Sequence, residues 1–231
     1  MKRFLVITIA LIIIIGGTGC MFKYPAENIN DLAIEYMENK YGEKFEYFAP
    51  YGDSITGTHQ LLVTCDSYPE QGILVRIENY RKKEERVFRD NYLAVKYKGD
   101  TTEFIKRCAE EVFTEANIYY DVSNQVLSAD LPANASFEEY VSDASLLLQM
   151  VIEVESGHYS SERQIDTLAE LVSASVSRFN IPVIVVEDEE FGQFSKKELG
   201  KKIAYGHYAR CAEITKLSDE IIIRWLEESG L

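Results

Sequence analysis

The sequence predicts an α+β protein in which several helices pack on a mixed or antiparallel sheet. Two observations support this class. Amphipathic stretches with apolar residues at helical spacing recur along the chain, and short apolar runs typical of strands lie between them. The chain has 231 residues, of which 46% are hydrophobic, so it can bury a core of its own.

The region after residue 28 begins with a predicted helix and continues with predicted strands. Residues 29–40 have apolar side chains at helical spacing, and Gly42 stands where a helix commonly ends. Apolar runs bounded by turn residues predict strands at 44–48, 60–66 and 73–80. Pro and Gly residues predict a loop at 49–57 and a hairpin turn at 69–72.

Helices and strands alternate more regularly in the rest of the chain. An Asp or Ser followed three positions later by Glu or Gln predicts helix starts at Asp100, Ser136, Ser161 and Ser195. Helices are predicted at 101–115 and 162–178, and strands at 118–122, 181–187 and 203–215. Residues 90–97 and 219–228 fit either a helix or a strand.

Two helices with the same apolar spacing suggest an internal repeat. The matching positions are Ile105, Cys108, Ala109 and Phe113 in one and Leu168, Leu171, Val172 and Val176 in the other. They favour two related strand–helix–strand units, although any two amphipathic helices that lead into strands can match in this way. Residues 29–231 are predicted to form a single α+β domain, with sub-units 29–124 and 136–231 as the alternative division.

The N-terminus has the three parts of an export signal. Lys2 and Arg3 form a basic start, residues 4–15 form an apolar run, and residues 16–19 are small. An apolar run of this length is shorter than the roughly 20 residues that a membrane-spanning helix needs. The pattern predicts that residues 1–19 are a removable signal peptide. A retained N-terminal membrane helix that continues to Phe22 is the alternative.

The stretch Gly17-Thr18-Gly19-Cys20 resembles the lipobox of bacterial lipoproteins, although Leu is more common than Gly at the first of these positions. The resemblance implies that Cys20 receives a diacylglyceryl group on its thiol and becomes the first residue of the mature chain. Residues 20–28 would then be a lipid-anchored tether on the extracytoplasmic face of the cell membrane. The domain behind it resembles uncharacterised Gram-positive surface lipoproteins.

Charge and cysteine content exclude several classes of protein. The net charge is −14, and removal of Lys2 and Arg3 with the leader makes it more negative, which excludes nucleic-acid binding. Cys65, Cys108 and Cys211 are an odd number of cysteines, so they cannot form a complete disulfide framework. One bridge among them is an alternative.

The sequence predicts no catalytic residue, metal site or cofactor. His59, His158 and His207 lie in no recognised spacing; His207 and Cys211 would meet on a helix but not on a strand. The acidic run at 187–190 lacks the spacing of a calcium loop. Tyr47, Phe48 and Tyr51, next to Asp53, are the predicted surface for a ligand or partner, with an aromatic sugar platform as an alternative.

These observations favour a non-catalytic domain that binds a protein or a cell-envelope component. An envelope hydrolase or transferase is one alternative, and it predicts a cleft that gathers histidines, Cys211 and carboxylates. A small-ligand carrier is another, and it predicts a closed apolar pocket of at least about 300 Å³.

Overall fold

The computed structural model describes residues 28–53, 57–123, 125–127, 129–206 and 208–226. Within these ranges the chain forms two β-sheets and six α-helices, which confirms the predicted α+β class. The predicted leader, Cys20 and residues 21–27 of the tether lie outside the described residues. His207 lies outside them as well.

The first sheet, called sheet 1 below, is an antiparallel meander that follows helix α1 (Ile29–Tyr41). Its strands, in spatial order, are β1 (Phe45–Asp53), β2 (His59–Cys65), β3 (Tyr68–Glu78) and β4 (Val87–Asp90). The side chain of Asn28 accepts a hydrogen bond from the Asn30 N–H and caps the start of α1. Gly42 ends the helix at a φ of 73°, as its position predicts.

Two loop predictions in sheet 1 are wrong. Strand β1 continues through Pro50 to Asp53, where a loop was predicted, because an edge strand with bulges tolerates proline. Strand β3 begins at Tyr68 and includes the predicted turn at 69–72. The hairpin turn is instead at Asp66 and Ser67.

The second sheet, sheet 2, has five strands in sequence order. They are β5 (Asn117–Tyr120), β6 (Leu148–Glu155), β7 (Phe179–Val186), β8 (Arg210–Lys216) and β9 (Ile221–Leu226). Strands β6 and β7 are parallel and are joined through helix α5, whereas the other neighbours are antiparallel. The remaining helices are α2 (Tyr92–Lys96), α3 (Lys98–Phe113), α4 (Phe137–Ser142), α5 (Arg163–Ser173) and α6 (Lys196–Tyr205).

The predicted helix starts have mixed outcomes. The capping boxes at Ser136 and Ser195 are confirmed, each with the hydroxyl and the Glu side chain both engaged. At Ser161 only half of the box forms, because Gln164 reaches the Ser161 N–H but no side chain caps α5. The start at Asp100 is wrong, since α3 begins at Lys98.

Four further regions differ from the predictions or refine them. Residues 203–205 belong to α6, so the predicted strand at 203–215 shortens to β8. The ambiguous segment at 219–228 contains strand β9. Helix α5 is shorter than the predicted 162–178, and the ambiguous residues 90–97 contain α2.

One core cluster joins the two sheets. It includes Leu61 and Val75 from sheet 1, Ile152 and Val183 from sheet 2, and Ile105 of α3 between them. A smaller cluster lies on the other face of sheet 2. Its buried residues are Val151, Ile184, Val186, Leu199, Tyr208 and Cys211.

The two matched helices, α3 and α5, share a buried face but not a topology. Their matched apolar positions are buried, except for the half-buried Leu171. Strand β6, which precedes α5, pairs directly with β7, which follows it. The strand before α3 is β4 of sheet 1, whereas β5 after it belongs to sheet 2, so the similarity is confined to the helices and their exits.

Candidate functional site

The three aromatic residues predicted as a partner surface all lie on the edge strand β1, and all are exposed. Tyr47 is 44% exposed, Phe48 61% and Tyr51 43%. They are half of the large apolar side chains with high exposure in the part of the chain that the structure describes. Exposed aromatic side chains on one element are typical of sites that bind a partner. We call Tyr47, Phe48 and Tyr51 the β1 aromatic surface.

Two β-bulges explain how β1 presents these side chains. Its register against β2 skips Phe48 between the pairs Tyr47–Val63 and Ala49–Leu62. The register skips a second residue, Tyr51, between Pro50 and Gly52. A bulged residue has no directly opposed partner, and the bulge redirects its side chain. Phe48 and Tyr51 therefore lie at bulges outside the paired ladder, with their side chains exposed.

A buried carboxylate fixes the helices next to β1. Asp90, which is 1% exposed, accepts hydrogen bonds from the hydroxyls of Tyr36 at 2.8 Å and Tyr41 at 2.6 Å. It also accepts hydrogen bonds from the Lys40 ammonium at 2.9 Å and the Tyr92 N–H at 3.0 Å. These donors come from α1 and α2, so Asp90 ties both helices to the end of β4. No local sequence signal predicts this network, because its three side-chain donors are 49–54 positions from Asp90.

Tyr36 and Tyr41 can act as donors to Asp90 because their hydroxyls are protonated. Burial and then the charge of Asp90 raise the pKa of Tyr36 and of Tyr41 above the ordinary tyrosine value. Both hydroxyls therefore stay protonated at neutral pH and donate to the carboxylate. The rings of Tyr41 and Tyr92 stack with centroids 4.1 Å apart, and Phe45 at the start of β1 packs against both. The base of β1 is thus rigidly held.

Carboxylates lie beside the start of the β1 aromatic surface. A groove of about 230 Å³ next to β1 is lined by Lys44, Glu46, Thr64, Cys65, Asp66 and Pro69. Glu43 accepts hydrogen bonds from the Tyr92 hydroxyl and from the Ser67 hydroxyl. Burial alone would raise the pKa of Glu43. Its hydrogen bonds together have the larger effect and hold the pKa below the ordinary value. The surroundings of the groove are therefore mainly acidic at neutral pH.

A second buried carboxylate lies on the second strand of sheet 2. Glu153 of β6 is 0% exposed, and its Oε2 accepts from Asn117 Nδ2, the Tyr119 hydroxyl and the Gly192 N–H. These distances are 3.0, 2.9 and 3.1 Å. Glu153 thereby joins β5 to the segment that precedes α6. Burial and then Glu153 raise the pKa of Tyr119, which keeps that hydroxyl a donor.

The two described histidines and Cys211 are divided between the two sheets. His59 is on sheet 1, with Nε2 3.1 Å from Asn30 Oδ1, whereas His158 and Cys211 belong to the region of sheet 2. His158 Nδ1 is 3.3 Å from Glu155 Oε2. Cys211 is 1% exposed, and burial, followed by the charge of Glu213, raises its pKa to about 12. A buried, protonated thiol is a poor nucleophile.

The acidic run after β7 is occupied by contacts within the protein. Asp188 Oδ1 accepts hydrogen bonds from the Ser156 hydroxyl at 2.7 Å and the Gly157 N–H at 3.0 Å. Glu190 pairs with Lys202 of α6 at 2.8 Å. Across the described ranges, no group of three or more His, Cys, Asp or Glu side chains is arranged to hold a metal ion. Cys65, Cys108 and Cys211 are free thiols, so none of these three pairs with another.

A larger groove runs between helices α3 and α4. It has a volume of about 520 Å³ and is lined by Phe104, Arg107, Phe137, Glu138, Glu139, Val141, Ser142, Ala174 and Ser175. Several of these residues, including Arg107 and Glu138, are exposed, so the groove opens to solvent. The carrier hypothesis expects a closed pocket, and this groove is not one.

Comparison with known proteins gives no information about the function of this site. No protein-family model matches the chain, and no curated protein matches it. A crystal structure of a DUF5037 family protein from Ruminococcus gnavus matches 84% of this chain and 94% of its own, at 13% identity and a TM-score of 0.41. A similarity this low supports no conclusion about function. No helix within the described residues has the length and apolar character needed to span a membrane.

Proposed function

We propose that this protein is a lipid-anchored binding domain of the bacterial cell surface, without catalytic activity, that holds a partner through the β1 aromatic surface. The observation that carries the proposal is the placement of Phe48 and Tyr51 at the two bulges of an edge strand. Both side chains are exposed, Phe48 by 61% and Tyr51 by 43%, so each presents ring surface to solvent. A role in contact with another molecule accounts for such positions.

Backbone geometry favours recognition by side chains over strand addition at β1. An added strand needs a regular row of N–H and C=O groups on the outer edge. Pro50 has no N–H, and the two bulges interrupt the row on both sides of it. The partner therefore meets the rings themselves, which give a large contact area at low cost in conformational entropy.

The negative charge of this protein limits the kinds of partner that the β1 aromatic surface can bind. The chain has a net charge of −14, and Glu46 and Asp66 line the groove beside β1. A partner surface that combines apolar groups with Lys or Arg fits both features, because opposite charges steer the encounter and cations also bind to aromatic rings. We therefore propose a protein or other envelope component with a basic, apolar contact surface.

Lipid anchoring would fix where this binding occurs. Residues 20–28 reach at most about 30 Å when fully extended. The domain begins with α1 at Ile29, and α1 contacts β1. Anchored through Cys20, the β1 aromatic surface would stay within a short distance of the membrane. The proposed partner is therefore membrane-bound or lies close to the membrane.

Capture of the partner from envelope extract tests the binding role. The bait is the mature domain, and the variant Phe48→Ser with Tyr51→Ser removes the two bulged rings. The matched control is Tyr205→Ser with Leu217→Ser, which removes similarly exposed apolar side chains from elsewhere (60% and 55% exposed). We expect the β1 variant alone to lose the captured species. Equal capture by the β1 variant and the wild type would refute the proposal.

Metabolic labelling tests the anchor. Cells that express the wild type are expected to incorporate radioactive palmitate into a processed chain, and Cys20→Ala is expected to abolish both labelling and processing. Persistent label on Cys20→Ala, or an unprocessed wild-type chain, would favour the retained membrane helix instead. The hydrolase and carrier alternatives stay predictions, since no contact among the described residues favours either.

A further inference from the structure

Strand β9 forms the last edge of sheet 2, and its backbone is regular. Its register against β8 runs without interruption from Ile221–Lys216 to Leu226–Cys211. It contains no Pro and no Gly. Among the strands that the structure describes, none pairs with its outer edge. A regular, unpaired edge is a template for another strand.

The side chains of β9 are apolar on both faces. Ile221, Ile223 and Trp225 face the main core and are half-buried. Ile222 lies on the opposite face and is 54% exposed. The exposed face also carries Arg224, whose side chain is 70% exposed and whose pair with Glu213 is long at 3.8 Å. This edge lacks the usual devices against association, apart from one arginine.

A groove continues the inner face of sheet 2 beside β9. It has a volume of about 460 Å³ and lies between α5 and β9, lined by Arg163, Asp166, Thr167, Ala169, Glu170, Ile221 and Ile223. Side chains of alternate residues point to opposite faces of a sheet. An additional strand paired with the outer edge of β9 would place its inward side chains along this groove. The groove therefore leaves space under α5 for the inward side chains of a further strand.

We propose that this strand is β9 of a second copy of the chain, paired antiparallel across a twofold axis. Directly opposed residues of antiparallel strands share a face, so a twofold axis perpendicular to the sheet allows only registers centred on one residue. Centring on Ile222 places Ile221 opposite Ile223 of the second copy. It also places Arg224 opposite Glu220 of the second copy, twice by symmetry.

Charge complementarity selects a second copy over a foreign strand. Glu220 directly precedes β9 and is exposed, as is Arg224. In the register centred on Ile222, Glu220 and Arg224 of each chain lie opposite a residue of opposite charge. The two copies of Ile222 lie opposite each other on the same face. In a register centred on Ile223, Arg224 would instead face Ile222. The edge is thus complementary to itself, and the two five-stranded sheets would join into one of ten strands.

Disulfide trapping of the full-length protein in its membrane tests this register. In the dimer, two copies of Ile222→Cys have Cα atoms about 4.5–5.5 Å apart, which is within the range of a disulfide. We expect oxidised dimers to form at least about tenfold faster than with Leu217→Cys, a cysteine of matched exposure (55% against 54%) outside the register. The parent chain measures any background from Cys20.

A charge exchange separates this register from chance collision. In the Ile222→Cys background, Arg224→Glu should lower the dimer yield about tenfold, because like charges then face each other at both symmetric positions. Adding Glu220→Arg should restore it. Equal trapping at positions 222 and 217, or no response to Arg224→Glu, would overturn the proposal. Dimers that weaken with Arg224→Glu but are not rescued by Glu220→Arg would overturn the register centred on Ile222.

Discussion

Strands β1 and β9 occupy the same position, each at the edge of its sheet, but they are built in opposite ways. Strand β1 has two bulges and a proline, and its exposed rings stand outside the ladder. Strand β9 has an uninterrupted register and isoleucines on both faces. Exposed apolar residues on an edge strand therefore indicate different modes of binding, depending on whether the strand is bulged or regular. On a bulged edge the side chains are available for recognition, whereas on a regular edge the backbone is.

The two edges also differ in how they are supported. Beside β1, the buried carboxylate of Asp90 gathers donors from α1 and α2. Strand β9 is held mainly by apolar packing of Ile221, Ile223 and Trp225, with Trp225 edge-on to Tyr159 at 6.3 Å. A polar network at β1 should therefore respond to loss of a single partner far more than β9 does.

Removal of the Asp90 carboxylate should have the largest effect on stability. We expect Asp90→Ala to lower the free energy of unfolding by about 3–5 kcal/mol, because Lys40 and two tyrosine hydroxyls lose their acceptor. Urea denaturation followed by circular dichroism measures the change. Ile223→Ala removes one of the apolar side chains that hold β9; it is the comparison and should cost less, about 1–2 kcal/mol. Similar losses for both variants would remove the contrast in support.

Alkaline pH should weaken the fold in two successive ranges, first through buried thiols and then through buried tyrosines. In the unfolded chain Cys211 has the ordinary cysteine pKa of about 9.0, while the folded thiol has a pKa of about 12. The stability that its burial provides is therefore complete below pH 9 and is lost as the pH rises towards 12, at about 1.4 kcal/mol per unit of pKa difference. Tyr36 and Tyr41 beside β1 have raised pKa values and add a loss of stability that begins near pH 10.0, the ordinary pKa of tyrosine.

Denaturation of wild type and Cys211→Ala across pH 8–11 separates these contributions. The variant should show a smaller decline near pH 9, where the raised pKa values of the Cys65 and Cys108 thiols still contribute, and should keep the decline above pH 10. Absorbance of tyrosinate, recorded in parallel, reports the second. An unchanged slope near pH 9 in Cys211→Ala would show that the thiol on β8, next to β9, has no part in alkaline sensitivity.

The bulge at Gly52 should be sensitive to a side chain. Its φ of 139° disfavours L-residues, although an added Cβ would meet nothing within 4 Å. We expect Gly52→Ala to cost about 1–2 kcal/mol through backbone strain alone. Gly99→Ala in helix α3, which is also open around the Cβ, is the matched control and should be neutral or stabilising by up to about 1 kcal/mol. Equal effects of the two changes would mean that β1 is not bulged in solution.

Changes to the β1 aromatic surface should have the smallest effect on stability. We expect Phe48→Ser and Tyr51→Ser to alter the free energy of unfolding by no more than about 0.5 kcal/mol each, because both rings are exposed. Thermal and urea unfolding measure this directly. A loss above about 2 kcal/mol from Phe48→Ser would show that the ring packs within the fold and would remove the basis for a partner surface.

Local periodicity predicted much of the fold, but the edges of the sheets were harder to predict. Helix α1 and strand β7 follow from apolar spacing, and Ser136 and Ser195 mark helix starts that form as expected. The predicted strand at 44–48 is shorter than β1 because Pro50 and Gly52 are ordinary loop signals. Only the pairing with β2 shows that bulges accommodate them.

The candidate site could be predicted in part. Tyr47, Phe48 and Tyr51 are identifiable from their clustering in the sequence, but their exposure depends on the bulges. The Asp90 network could not be predicted, since α1, β4 and α2 meet only after folding. The association edge at β9 was equally hidden, because its apolar run fits a buried strand as well as an exposed one until the neighbouring strands are known.

Photo-crosslinking in intact cells tests the contrast between the two edges most directly. A photoreactive phenylalanine analogue replaces either Phe48 or Ile222 in the full-length protein, and the adducts are identified by mass spectrometry. At position 48 the adduct should contain a different polypeptide or envelope component, and at position 222 it should contain only a second copy of this chain. The same adduct from both positions, or a foreign partner at 222 and none at 48, would contradict the account.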